Sequence, residues 1–520
     1  VKKRFNTTGP CDEVRHYLVD PDPRRPEMRE LIDIGLFFVL HAPRQSGKTT
    51  LIRTLAKKLT AEGKFAALAF SCEAAEVAQD DYEAAEKILL GRMASQARID
   101  LSDKLLPPPW PAVNSGERVA LALEAWARSC PRPLVLFFDE IDALRGESLR
   151  SVLRQLRSGF PERPHAFPHA VVLCGLRDVR DYKTASGGDP DRLGTSSPFN
   201  IKVESLTLDN FTFAQTRDLY LQHTRATGQN WTKEAIVRAY ELTGGQPWLV
   251  NALAREIVEK RKHEGLIRRQ QVEEAKETLI LERATHLDSL VARLMEPRVR
   301  RLLEPLLAGE LAGEEETYDD DRLYVADLGL VKRTRPLEIA NPIYKEVIAR
   351  VLTSRAQDNI VLDPHSFVTK NGRLSIARFL DEFSAFWREH GEVLENAGPY
   401  HEVAPQLVLM AYLQRVVNGG GFVEREYGVG RDRIDLLVRW PLGGRRWQKE
   451  VLELKVWREK KRDPLEKGLE QLEGYLERVG VKRGVLVIFD RRKEAKPVEE
   501  RVERSEVQTK KGYKVTLLRA

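Results

Sequence analysis

Leu36-Phe37-Phe38-Val39-Leu40-His41 runs directly into Ala42-Pro43-Arg44-Gln45-Ser46-Gly47-Lys48-Thr49, and Thr50-Leu51-Ile52-Arg53-Thr54-Leu55 follows. The first stretch predicts a buried strand, and the apolar spacing after the loop is helical. Strand, loop and helix in that order form a P-loop, in which backbone N–H groups at a helix N-terminus wrap a polyphosphate. Each position then has a task. Ala42, Pro43, Arg44, Gln45, Ser46 and Gly47 form the cradle, Gly47 permitting close approach; Lys48 reaches the terminal phosphates; the Thr49 hydroxyl can ligate Mg²⁺; Thr50 begins the helix beside them. Ala42 stands where glycine is usual, a mild departure if its φ is negative.

About 90 residues later, Pro133-Leu134-Val135-Leu136-Phe137-Phe138 predicts an all-apolar central strand that ends in Asp139-Glu140-Ile141-Asp142. This is a Walker B motif. Asp139 would hold Mg²⁺ through water, and Glu140 could polarise the water attacking the γ-phosphate, as in ATPases of the additional-strand class. The plainer reading of Glu140 and Asp142 is capping of the next helix, and for Asp142 it is preferred. Further strands at Ala66–Cys72, Ala170–Gly175 and Phe199–Val203 complete a parallel sheet of about five strands alternating with helices. After the fourth strand, Gly175-Leu176-Arg177-Asp178 leaves the sheet next to the P-loop. Arg177 is therefore a candidate γ-phosphate sensor, or else a surface salt-bridge partner.

The 520 residues exceed one core and predict roughly three or four folding units. Hydrophobic residues make up 42% and charged residues 31%, and no apolar run approaches the length of a membrane span. The expectation is a soluble, cytoplasmic protein with no membrane partner; the first residues show no secretion signal. Cys11, Cys72, Cys130 and Cys174 lie far apart, which suits buried thiols better than disulfides or a zinc site. The net charge is +6, but from His401 onward there are 27 Lys and Arg against 19 Asp and Glu. A basic C-terminal region favours a phosphate-backbone ligand.

Five motifs carry a resemblance: Phe5-Asn6-Thr7-Thr8-Gly9-Pro10, the loop from Ala42, Gly175-Leu176-Arg177-Asp178, Ser197-Pro198-Phe199-Asn200, and Gly244-Gly245-Gln246-Pro247-Trp248. Over about residues 1–355 the chain resembles the prokaryotic AAA-like ATP-binding proteins related to the AAA+ and STAND signalling ATPases. The resemblance implies binding of ATP or ADP with Mg²⁺. It also implies that Pro247 contacts the nucleotide and couples it to domain arrangement, although Gly244 and Pro247 could simply break a helix. A winged-helix-like module usually follows the ATPase core in these relatives. Helical spacing from Val272 to about Leu311, a short β-like stretch to Ala340 and a helix over Pro342–Leu352 fit it. The Asp319–Asp321 run disfavours DNA contact there and reads as a helix cap. Ser375–His390, with Phe379, Phe383, Phe386 and Trp387 near one face, predicts a connecting helix whose aromatics pack as core.

In the C-terminal region Asp435 enters a strand, Pro441-Leu442-Gly443-Gly444 signals a hairpin, and Lys449-Glu450-Val451-Leu452-Glu453-Leu454-Lys455-Val456 is the next strand. Residues two apart share a face, so Glu453 and Lys455 point together while Leu452 and Leu454 pack behind. Asp435 can join them from the neighbouring strand. Two carboxylates can bind Mg²⁺ and position a scissile phosphate, and the ammonium can orient or deprotonate the attacking water. Ordinary strand-end acids paired with Arg431 and Lys455 are the bland alternative. This Asp…Glu-x-Lys arrangement resembles the PD-(D/E)XK nuclease superfamily over about residues 400–520. The resemblance implies a further metal-site acid at Glu402, opening the helix His401–Val417. It also places Gln471, with Tyr475 four residues on, facing the site from a helix.

The expected fold is therefore α/β: a P-loop NTPase with a parallel sheet (1–270, its core about 30–206), a winged-helix-like module (271–355), a helical connector (356–399) and a restriction-endonuclease-like α/β domain (400–520). The expected function is an ATP-regulated nuclease that uses Mg²⁺, or Mn²⁺ at the nuclease site, and cuts nucleic acid, DNA favoured over RNA. The alternative is a STAND-like ATP/ADP switch or scaffold whose C-terminal domain binds nucleic acid without cutting. Both families assemble often, so a homo-oligomer and a monomer are both compatible. By analogy such fusions belong to prokaryotic defence or mobile-element control.

Overall fold

The computed structural model describes residues 3–20, 24–176, 204–281, 293–294, 296–307, 320–334, 337–348, 367–396, 404–417, 421–429, 432–442, 446–459, 461–492 and 494–520. Contacts divide the chain into two compact units, Val1–His286 with Tyr318–Ile343, and Leu287–Thr317 with Tyr344–Ala520. Residues 271–355, expected as one module, thus contribute to both.

The first unit is built on β1 (Phe37–His41), β2 (Ala66–Ser71), β3 (Leu134–Asp139), β4 (Ala170–Gly175) and β5 (Ser205–Thr207). All pairings are parallel, in the order β2-β3-β4-β1-β5. Strands covered on both faces need apolar residues at every position, and β1, β3 and β4 are buried throughout. Phe37, Val39, Leu136 and Phe138 pack on one side with the helices Tyr82–Asp100, Arg118–Ser129 and Gly146–Gly159. Phe38, Leu40, Val135 and Phe137 pack on the other with the helix Lys48–Ala61. The order puts β4 between the P-loop strand and the Walker B strand, so β1, β3 and β4 deliver His41, Asp139 and Gly175 to one carboxyl-terminal edge. The strand expected at 199–203 lies outside the described residues; the fifth strand is the three-residue Ser205–Thr207.

Three helices follow, Phe213–Thr227, Lys233–Thr243 and Pro247–Arg255, the first opened by a capping box of Thr212 and Gln215. Farther on, the helix Asp320–Asp327 is followed by an antiparallel bridge of Val331 with Ile339 and a helix over 342–348. Asp319 lies outside the described residues.

The second unit contains β6 (Phe422–Val429), β7 (Asp432–Pro441), β8 (Trp447–Trp457), β9 (Arg483–Asp490), β10 (Glu503–Gln508) and β11 (Lys514–Arg519), in the order β10-β11-β9-β8-β7-β6. β6, β7 and β8 form an antiparallel meander, whereas β8, β9 and β11 are mutually parallel. Leu452 and Leu454 face a core containing Phe379, Phe383, Trp387 and Tyr412 from the helices Ile376–Asn396 and Ala404–Val417. The expected connector is thus part of this unit's core, its aromatics packed as anticipated. On the opposite face the helix Leu465–Val479 covers Val451, Leu486 and Ile488 with Leu472, Tyr475 and Leu476.

No helix among the described residues is long and apolar enough to cross a membrane. The four cysteines are free thiols; burial raises the pKa values of Cys72 and Cys174 well above the ordinary range.

Candidate functional site

At the carboxyl edge of β1 the chain turns through Gln45, with φ +58°, and Gly47, with φ +88°, which is the residue before the Lys48–Ala61 helix. Ala42 is buried and does not adopt positive φ, so the missing glycine introduces no strain. Lys48 donates from Nζ to the carbonyls of Ala42 (2.5 Å) and Pro43 (3.0 Å). Thr49 Oγ1 donates to Asp139 Oδ2 at 2.7 Å. Asp139 is 4% exposed, and burial raises its pKa, the Thr49 hydroxyl opposing the shift. A hydroxyl and a buried, destabilised carboxylate in contact are the hard oxygen donors Mg²⁺ prefers, so Thr49 and Asp139 fit that ion.

Glu140 follows with φ +54°, and Ser71 at the end of β2 donates from Oγ to Glu140 Oε2 at 3.0 Å. The Glu140 charge in turn raises the pKa of Glu73. Asp142 corrects the capping expectation. The helix Gly146–Gly159 begins after Arg145 with no side-chain cap. Asp142 is instead the foremost acid favouring the charged form of Lys48. Arg177, the candidate sensor, lies outside the described residues.

In the second unit Glu453 is 1% exposed at the centre of the sheet, and Lys455 Nζ lies 2.5 Å from its Oε1. Both face the Leu465–Val479 helix, because Val451 and Trp457, of the same alternation, pack on that side. From that helix Gln471 presents a buried Oε1 with no hydrogen-bond partner among the described residues, and Tyr475 is buried on the same helix face. The β7–β8 register pairs Leu436 with Leu452, the neighbours of Asp435 and Glu453; the Asp435 side chain lies outside the described residues. Glu402 lies outside the described residues; the described helix begins at Ala404.

Residues 34–182 match the AAA domain family. The chain carries an AAA-type P-loop ATPase domain. No curated protein matches the chain. Among solved structures it is similar to the Walker-type ATPase PABY2304 of Pyrococcus abyssi, with 15% identity and a TM-score of 0.46 over 66% of this chain and 99% of that one. Two further likenesses are the Aeropyrum pernix ORC1 protein in complex with DNA (14% identity, TM-score 0.34, 65% and 93% covered) and the Thermotoga maritima RuvB Holliday junction branch migration motor (16%, 0.35, 66% and 98%).

Several residues around the AAA domain's P-loop carry no sequence signature. Arg24 donates from Nη2 to the carbonyls of Ser46 (3.1 Å) and Asp209 (2.6 Å) and stacks on Phe211, and burial pushes its pKa down to about 10. Gln246, the N-cap of the Pro247–Arg255 helix, reaches the Gln45 carbonyl at 3.4 Å, which puts Pro247 one residue from a loop contact. The Cys11 amide donates to Thr50 Oγ1 at 3.0 Å, while Trp248 and Arg255 hold Thr7, so the Phe5–Pro10 motif and the cysteine after it touch the helices Lys48–Ala61 and Pro247–Arg255. Gly329 packs against Pro43, and Asp327 lies 4.0 Å from His41. Thr7, Gln246 and Trp248 lie in motifs that carry the resemblance, whereas Arg24, Cys11, Arg255, Asp327 and Gly329 are identified only by spatial contact between distant segments.

Two expectations arise here. A Cβ on Gly245, at φ +71°, would strike the Phe211 carbonyl oxygen, whereas one on Gly228, at φ +76°, meets open space. Gly228→Ala is expected to cost about 1 kcal/mol through its left-handed backbone alone, and Gly245→Ala about 3 kcal/mol or more, read from urea midpoints. Equal costs would show that the Phe211 contact yields freely. Burial also holds the Lys48 pKa below its ordinary 10.5. Phosphate favours charged Lys48, so ADP affinity is full below that lowered pKa and falls as pH rises through it. Titration calorimetry across alkaline pH should show this fall, and Lys48→Arg, always charged, should not.

Proposed function

We propose that the protein is an ATP-regulated, metal-dependent nuclease that hydrolyses phosphodiester bonds in nucleic acid, DNA favoured over RNA. The observation that carries the reading is Glu453, wholly buried in mid-sheet and held 2.5 Å from Lys455. Burying a carboxylate costs several kcal/mol, and an apolar pair would serve stability as well or better. A pair buried at that cost supports a role other than stability. A metal ion held by Glu453 and Asp435 would supply charge neutralisation at the scissile phosphate and lower the pKa of bound water. Lys455 can donate hydrogen bonds to that water or to a phosphate oxygen, and Gln471 has a free acceptor to orient the water. In the AAA domain Lys48 and the loop amides would bind the polyphosphate, Thr49 and Asp139 would hold Mg²⁺, and Glu140 would align the attacking water. By the family resemblance, this activity serves prokaryotic defence or mobile-element control.

The engagement of Glu140 by Ser71 favours slow ATP turnover, and with it the second reading, a STAND-like switch that binds nucleic acid without cutting. Incubating plasmid, single-stranded DNA and RNA with Mg²⁺ or Mn²⁺, with and without ATP, separates the two. Metal-dependent cutting whose rate responds to ATP supports the nuclease. Binding without cutting of any substrate establishes the switch.

A further inference from the structure

β8, β9 and β11 run parallel and end side by side, with Trp457 paired to Asp490 and Ile488 to Arg519. Beyond them the Arg491 amide donates to the Trp457 carbonyl, and the Asp490 amide to that of Ala520, both at 2.8 Å. The carboxyl edge of parallel strands is where such sheets place ligands. Here it gathers Trp457, Arg458, Arg491, Arg492 and Arg519. The loops following β8 and β9, Arg458–Asp463 and Asp490–Lys496, together contain eight basic and four acidic residues, so they account for most of the chain's net +6.

The arginines are held rather than loose. Arg492 Cζ sits 3.4 Å from the centroid of the Trp457 ring and Arg519 5.7 Å from it. Arg492 is bidentate to Asp490 (2.9 and 2.6 Å), Arg519 pairs with Asp463 (2.6 Å), and Trp457 Nε1 donates to the Lys461 carbonyl at 3.0 Å. One indole therefore ties both loops and the end of β11 together, and fixing cations before binding lowers the entropy lost on recognition. Burial and the neighbouring Arg491 charge hold the Arg458 pKa below the usual guanidinium range, a repulsion that an anion relieves. Trp457 shares the face of Lys455 two residues earlier, about 7 Å along the strand, or roughly two nucleotide steps of a duplex strand.

From this arrangement we infer that the edge formed by Trp457, Arg458, Arg491, Arg492 and Arg519 grips the phosphodiester backbone of a nucleic acid flanking the Glu453–Lys455 site. The choice of a nucleic acid over another polyanion rests on the nuclease reading; the surface itself does not.

The test is anisotropy of a labelled DNA single strand and duplex with the full chain in EDTA, where metal-dependent cutting is silent. Arg458→Gln with Arg491→Gln should weaken binding about tenfold or more, and should lower the slope of log Kd against log salt by about 1.4 to 1.8, two phosphate contacts' worth. The double Arg→Lys variant, which keeps both charges, should retain the slope and so excludes misfolding as the cause. No binding by the unmodified protein, or an unchanged affinity and slope in the double Gln variant, overturns the inference even if the protein cuts. A protein that never cuts but loses binding in the double Gln variant overturns the nuclease reading alone. Equal loss of heparin binding, with heparin preferred to DNA, overturns the choice of nucleic acid.

Discussion

Lys455→Ala is expected to reduce metal-dependent cleavage by about a hundredfold to a thousandfold, the range typical for removal of a positioned proton-transfer or charge-stabilising group. Two effects combine in that substitution. The chemistry loses the ammonium beside the water and phosphate, and Glu453, 1% exposed, loses the cation 2.5 Å away. Removing one partner of a buried pair costs about 3 to 5 kcal/mol where both are fully desolvated; Lys455 retains 19% side-chain exposure, so a smaller destabilisation is expected. The two effects separate experimentally. Mg²⁺ should raise the melting temperature of Lys455→Ala more than that of the unmodified protein, because the ion supplies the missing positive charge. Lys455→Arg should keep the ion pair and the fold yet remain slow, since guanidinium neither loses a proton nor occupies the same point. Cleavage at full rate by both variants would remove Lys455 from the reaction.

Lys48→Ala should weaken ATP and ADP binding by about a hundredfold to a thousandfold, corresponding to one or two charge-assisted hydrogen bonds. The loop itself should survive, because its shape is held from outside by Arg24 on the Ser46 carbonyl and Gln246 on that of Gln45. The measurement is fluorescent-nucleotide titration alongside the cleavage assay. If cleavage by Lys48→Ala no longer responds to ATP while its ATP-independent rate persists, the P-loop regulates the nuclease. If the variant binds nucleotide normally, Lys48 is not the phosphate ligand. Asp142→Asn provides a contrast. Removing the acid that acts most strongly on Lys48 should shift the alkaline fall in ADP affinity to lower pH while leaving the affinity at neutral pH within a few fold.

Much of this architecture was legible in the chain. β1 through β4 read as strands because buried parallel strands are apolar at every position, and Glu453 with Lys455 could be set on one face because Leu452 and Leu454 occupy the other. β5 was not read: three half-buried residues carry no apolar run, and the strand exists through its pairing with β1. Asp142 was misread for a similar reason. A sequence shows that it follows the Walker B strand, but its proximity to Lys48 comes from the β3-β4-β1 order. Arg24, Ser71 and Gln246 act through contacts between distant segments, which no spacing rule encodes. β10 went unread because it is exposed almost throughout, and β11 because its buried Val515, Leu517 and Leu518 make too short an apolar run to stand out from the polar sequence beside it.

The split of the chain has a practical consequence. Its first unit takes Tyr318–Ile343 back after the chain has entered the second, so the polypeptide passes between the units three times. Limited proteolysis with one cut at any single passage leaves two peptide connections intact, and neither half should leave the other on a sizing column. An N-terminal fragment ending at His286 would lack Gly329 and Asp327, the residues seated on Pro43 and His41. The ATPase unit is therefore an interrupted one, obtainable alone only by excising the intervening stretch and rejoining the ends.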